Sequence, residues 1–108
     1  MKKVELKDLK PYNPPDHFDM KAFLVHQKTS SGEPKYWMGL SHFLPGGGAD
    51  MATAPVEIVY FVLEGELTVK TEAEVIKLKK WESLHIMPGE SRAVINETGL
   101  PASMLVIV

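Results

Sequence analysis

The 108-residue chain contains no cysteine. Disulfides, thiolate nucleophiles, thiolate metal sites and iron–sulfur clusters are thereby excluded, and a reducing, cytoplasmic setting is expected. A surplus of positive charge is missing too. Twelve basic and 14 acidic residues leave a formal net charge of -2 with no basic cluster, so no nucleic-acid partner is expected. No apolar run approaches membrane-spanning length, and the basic start M-K-K-V-E-L-K-D-L-K is not followed by the apolar segment of a secretory signal, so no membrane partner is expected either. Ser41, Ser83, Ser91 and Ser103 lie outside any nucleophile-elbow pattern, and Gly46-Gly47-Gly48 lacks the Lys-Ser/Thr of a phosphate loop.

What is present has the length of one domain and the punctuation of an all-β fold. Residues 44–67 read L-P-G-G-G-A-D-M-A-T-A-P-V-E-I-V-Y-F-V-L-E-G-E-L. They predict a Gly-rich turn, a buried strand headed by Glu57, and a tight turn at Glu64-Gly65. Before this stretch, residues 4–9 suit a short strand or one helical turn, and Pro11, Pro14 and Pro15 predict an irregular connection. Strands are expected over 21–28 and 35–44, joined by turn chemistry at 29–34. After it, residues 66–71 and 74–79 alternate apolar and polar and predict a hairpin with one wet face. Residues 83–87, 91–96 and 102–108 supply three more strands.

Eight or nine short strands with no convincing helix indicate a sandwich or small barrel. The expected division is an N-terminal arm and Pro-rich loop over 1–20 and the barrel over 21–108. The final run, A-S-M-L-V-I-V, is nearly all apolar, which places it either inside the barrel or partly at a subunit interface, and a homodimer is expected.

The order P-G-G-G, P-V-E, Y-F-V-L-E-G-E-L resembles the first signature of the cupin superfamily, and L-K-K-W-E-S-L-H-I-M-P-G-E-S-R-A-V-I-N resembles the second. The resemblance covers residues 44–96 and implies a single-domain jelly-roll β-barrel. It also implies a metal held by three histidines and a glutamate, and at those positions the chain departs from the family. The paired histidines of the first signature fall on Ala52 and Ala54, that of the second falls on Arg92, and Glu57 is the one ligand type left. Alanine offers no donor atom and a guanidinium does not ligate divalent cations, so no metal and no other cofactor is expected in the usual place. Trp81 stands where the second signature opens on glycine, which predicts a different turn.

If Glu57 points into the barrel, then Val59, Phe61 and Leu63 follow it inward and Ile58, Tyr60 and Val62 face outward. With Arg92 also inward, Glu57 and Arg92 would share an apolar cavity, either as an ion pair or as a clamp and base for a small ligand. The candidate ligand-binding set is Glu57, Arg92, Phe61 and His42, with Met51 and Met87 near the mouth. The candidate catalytic set is Glu57 and Arg92. His17 is expected in solvent, and His85 is expected to face away from Leu84 and Ile86. His26, His42 and Glu57 form the alternative set for a relocated metal. Three functions follow: binding of a small anionic or carbonyl-bearing molecule without metal; a metal-independent isomerase, dehydratase or cyclase using Glu57 as acid–base and Arg92 as anion stabiliser; or a metal-dependent dioxygenase or isomerase with relocated ligands.

Overall fold

A computed structural model describes residues 1–28 and 33–108, which carry nine strands. They are β1 (Lys10–Tyr12), β2 (His17–His26), β3 (Met38–Thr53), β4 (Ile58–Glu64), β5 (Glu66–Lys70), β6 (Val75–Lys79), β7 (Ser83–Ile86), β8 (Ser91–Ile95) and β9 (Ala102–Ile107). All their pairings are antiparallel. The main order is β6-β5-β8-β3-β9-β4-β7, with β2 also on β3 and β1 on β2. The result is the expected all-β, nearly closed barrel of jelly-roll type. Its helical content among the described residues is the 3₁₀ turn Leu6–Asp8, where the Asp8 carboxylate accepts a hydrogen bond from the Glu5 amide. No described helix is long and apolar enough to cross a membrane.

Several strand bounds differ from those expected. The Pro-rich segment holds β1, and β2 starts four residues before 21. Of the turn expected over 29–34, residues 29–32 lie outside the described residues. The largest difference concerns the Gly-rich run, which bends β3 without ending it. Gly46 adopts φ +82°, a conformation open to glycine at little cost. A Cβ on Gly47 would collide with the Asp19 carbonyl, and one on Gly48 with the Val94 carbonyl. The missing side chains therefore let β3 press against β2 and β8 and continue. Its first half pairs β9 and its second half pairs β8, so one strand joins the two parts of the barrel.

Asn96 locks this bend from the side. It is fully buried; its Nδ2 donates to the carbonyls of Phe43 and Leu100, and its Oδ1 accepts from the Thr98 amide and hydroxyl. Every polar atom of the amide is thus satisfied, which a buried side chain requires.

The β5–β6 hairpin forms, but its expected wet face is only partly wet, because Thr68 is 2% exposed. Leu67, Val69 and Leu78 are buried, Lys77 and Lys79 are exposed, and the Thr71 hydroxyl closes the turn by accepting from the Ala73 and Glu74 amides. The alternation of β4 runs opposite to the expectation. Ile58, Tyr60 and Val62 are the buried residues, at 5, 6 and 0% exposure, and they join Phe43, Leu67, Val94 and Met104 in the core. Val59 and Phe61 face outward, beside Ile107 and Leu105 of β9. Leu63 is exposed at the end of the strand.

Candidate functional site

The reversed phase of β4 separates the two charges expected to share the cavity. Glu57 precedes the strand, is exposed, and its Oε2 accepts a 2.7 Å hydrogen bond from His85 Nε2. His85 is opposite Val59 on β7 and points away from Leu84 and Ile86, as expected. Glu57 and His85 therefore meet on the outside of the wall. Arg92, on β8 with the buried Val94, faces in. The Glu57–Arg92 ion pair is not formed, because successive residues of a strand alternate faces and it is Ile58 that occupies the inward position at the head of β4.

Arg92 finds other partners. Its Nε donates to the Tyr60 hydroxyl at 3.1 Å, and its Nη1 donates to the Ala52 carbonyl at 3.0 Å. The guanidinium carbon lies 5.9 Å from the centroid of the Tyr60 ring, within reach of a cation–π attraction. Ala52 is the cross-strand neighbour of Arg92 where β3 pairs β8, so the short alanine side chain leaves its backbone carbonyl to receive the guanidinium. Among the described residues no carboxylate pairs with Arg92, which is a half-buried cation held by two neutral oxygens. Two of its five N–H donors are used, and the Tyr60 hydroxyl, having accepted one, still has its own proton to give.

The remaining candidates are dispersed. Met51 and Met87 are exposed and border this mouth in sequence, next to Ala52 and Pro88. Phe61 is on the outer face, and so is His42, whose Nδ1 shares a 2.7 Å hydrogen bond with the Ser103 hydroxyl and whose ring meets the edge of Phe23. His26 is opposite Met38 on the same outer face and packs edge-on against Tyr36. His17 is exposed, with Nδ1 on the Pro15 carbonyl. His26, His42 and Glu57 do not converge, and among the described residues no group of three His, Asp or Glu side chains has a metal-holding arrangement. The inward side chains around Arg92 are Ala52, Ala54, Ile58 and Tyr60, and with Glu57 turned outward to His85 they do not offer the donor set of a divalent metal.

Tyr60 is the site residue that the sequence reading missed. Its signal was the antiparallel neighbour: once His85 is read as outward, the β4 residue opposite it must be outward too, and Tyr60 next to that residue must face in. The structure also has two clefts outside the barrel. One, of about 410 Å³, is bordered by Glu57, Val59, Tyr36, Lys28, Lys35 and Ile107. The other, of about 810 Å³, lies under the N-terminal arm between Lys2, Lys7, Lys10 and Lys28.

Comparison with known proteins is consistent across sequence and structure. A β-D-galactosidase of Mycobacterium tuberculosis is 34% identical over 97 residues, covering 90% of this chain and 84% of that protein. The polyketide cyclase RemF of Streptomyces resistomycificus superposes with a TM-score of 0.85 at 20% identity, over 99% of this chain and 78% of the other. A predicted oxalate decarboxylase of Thermotoga maritima superposes with a TM-score of 0.78 at 15% identity, over 98% of this chain and 96% of the other. At such identities the two structures show the fold alone. The model of the cupin domain matches residues 39–108, from the first half of β3 to the end of the chain, and so the chain belongs to the cupin superfamily.

Proposed function

We propose that this protein binds a small anionic or carbonyl-bearing molecule at the barrel mouth without a metal in the family's usual place. The observation that carries this reading is Arg92, a half-buried guanidinium with no carboxylate partner among the described residues. Taking a cation out of water is costly unless a counter-charge compensates it, and a ligand carboxylate or enolate oxygen would supply that charge. Arg92 and Tyr60 then act as adjacent donors: the free guanidinium N–H groups and the phenolic proton meet one oxyanion, with Ala52 keeping the guanidinium in register.

The same pair would stabilise negative charge developing on an enolate, which is the electrostatic half of an isomerase, dehydratase or cyclase. A base is also required, and Glu57 on the outer wall does not reach the interior site. The mycobacterial relative's name raises glycoside hydrolysis. That chemistry uses two carboxylates about 5–10 Å apart, and among the described residues no acidic side chain is buried. Anion binding is the simpler use of what the mouth contains.

Calorimetric titration with malonate and oxaloacetate tests the proposal. Wild type is expected to bind at least one of them, Arg92→Ala to weaken that binding at least about tenfold, as loss of a charged hydrogen bond implies, and Tyr60→Phe to weaken it less. No binding by wild type, or equal binding by Arg92→Ala, overturns the reading. Release of nitrophenol from a nitrophenyl β-D-galactoside by wild type would overturn it in favour of a hydrolase.

A further inference from the structure

We propose that Trp81 is the stacking platform of a saccharide-binding site on the turn between β6 and β7. The inference is independent of the Arg92 site.

Trp81 stands where its backbone least suits it. Residues Lys79, Lys80, Trp81 and Glu82 form a four-residue turn, closed by the Glu82 amide donating to the Lys79 carbonyl at 2.9 Å. The third position of this turn has φ +73°, a conformation that glycine adopts freely and that a Cβ opposes. Trp81 recovers little by packing, since its side chain is largely in solvent. A strained residue that returns so little to the single chain points to a contact made outside it, and strain of this kind collects at ligand clamps.

The mount of the ring is firm. The Trp81 amide donates to the Val62 carbonyl at 2.7 Å, and the Val62 amide donates to the Glu82 carbonyl at 3.0 Å. Val62 is fully buried, so the turn is anchored on both sides of its bend to the core strand β4. An indole carried on such a base loses little freedom when it meets a ligand.

The surroundings choose the ligand. Lys79, Lys80, Glu82 and Ser83 flank the ring in sequence, and all are exposed. Glu64, at the end of β4, is held to the turn by Lys80, whose ammonium is 3.4 Å from its Oε2. Glu82 accepts from the Lys79 amide with Oε1 at 2.8 Å, and its Oε2 is open to another donor. Leu63, exposed beside Glu64, adds one apolar side chain. The turn thus offers one aromatic face framed by carboxylates and ammoniums. A bilayer or a protein partner would have to strip water from these charges to reach a single ring. An anion would meet Glu64 and Glu82, and a cation would meet Lys79 and Lys80. A pyranose suits both parts of the site. It is neutral, one face of its ring is lined with C–H groups that can lie on the indole, and its hydroxyls donate to carboxylates and accept from ammoniums.

Saturation-transfer NMR, read on the protons of the sugar, tests the site with maltose, cellobiose and lactose. Wild type is expected to bind at least one of them with a Kd of about 1–10 mM, as suits a ligand held on a single ring. Trp81→Gly should weaken that binding at least about tenfold, through loss of the stacked face. The same variant should unfold at higher urea than wild type, so its loss of binding is not a loss of fold. Trp81→Phe keeps the strained backbone and a smaller ring, and should weaken binding about threefold. No transfer to any of the three sugars, or equal transfer with Trp81→Gly, overturns the proposal. Co-sedimentation with phosphatidylcholine vesicles that Trp81→Gly abolishes would also overturn it, by assigning the ring to a membrane.

Discussion

On the inner face of β4, Ile58, Tyr60 and Val62 are buried among core residues, while on its outer face Val59 and Phe61 lie beside Ile107 and Leu105, although the two sets are equally apolar. The difference lies in neighbours. Inner residues are surrounded by side chains from both sheets; outer ones are covered along the sheet alone. A strand of this composition is written for contact on both sides, and the fold supplies one of them.

The sharpest way to separate the two faces is by truncation. Ile58→Ala is expected to cost about 2–5 kcal/mol, the usual loss for a buried branched side chain. Val59→Ala, one residue along, should cost less than about 1 kcal/mol when unfolding is followed in urea. Equal costs would mean that both faces are packed in the single chain. A smaller effect of opposite sign is expected where the β4 pairing ends. Trp81 donates its amide to the Val62 carbonyl at 2.7 Å, has φ +73°, and is 73% exposed. A non-glycine residue in that region carries roughly 1–2 kcal/mol of strain. Little packing is lost from an exposed indole, so Trp81→Gly should raise stability by about 1 kcal/mol, read from the same urea curves.

The smallest effect concerns pH. Tyr12 is half-buried, edge-on to the Trp37 ring, and burial pushes its hydroxyl above the ordinary value near 10.0. The folded state therefore holds this proton more tightly than the unfolded chain does. The stability linked to it is fully present below pH 10.0 and is lost as pH rises through the folded value. Tyr12→Phe should flatten that part of the stability profile, in contrast to Val59→Ala, which should leave its shape unchanged.

The sequence made some elements plain and left others ambiguous for physical reasons. The β5–β6 hairpin was legible because Leu67 and Val69 alternate with Thr68 and Lys70, which marks the inner face, although Thr68 is buried on the other. The two cupin signatures identified the barrel. The phase of β4 was not legible, because both of its faces are apolar and polarity labels neither. Glu57 was used to break that tie and pointed the wrong way: a carboxylate at a strand's first bend reaches solvent easily and needs no cavity. That Ala52, Ala54 and Arg92 are not metal-ligand residue types was readable from residue identity. That Arg92 rests on Tyr60 was not, since it depends on the phase. Nor was the continuity of β3, where three glycines in a row look like a break until the neighbouring carbonyls they admit are seen.

That continuity has a consequence for how the protein comes apart. The sixteen residues of β3 pair β9 in their first half and β8 in their second, with β2 along their other side from Met38 to Ala49. The part of the barrel around β9 and the part around β8 cannot separate without withdrawing β3 from one of them. Separation of the regions that β3 joins is thereby coupled, whereas β1, β6 and β7, each paired with a single strand, can leave the barrel edge without it.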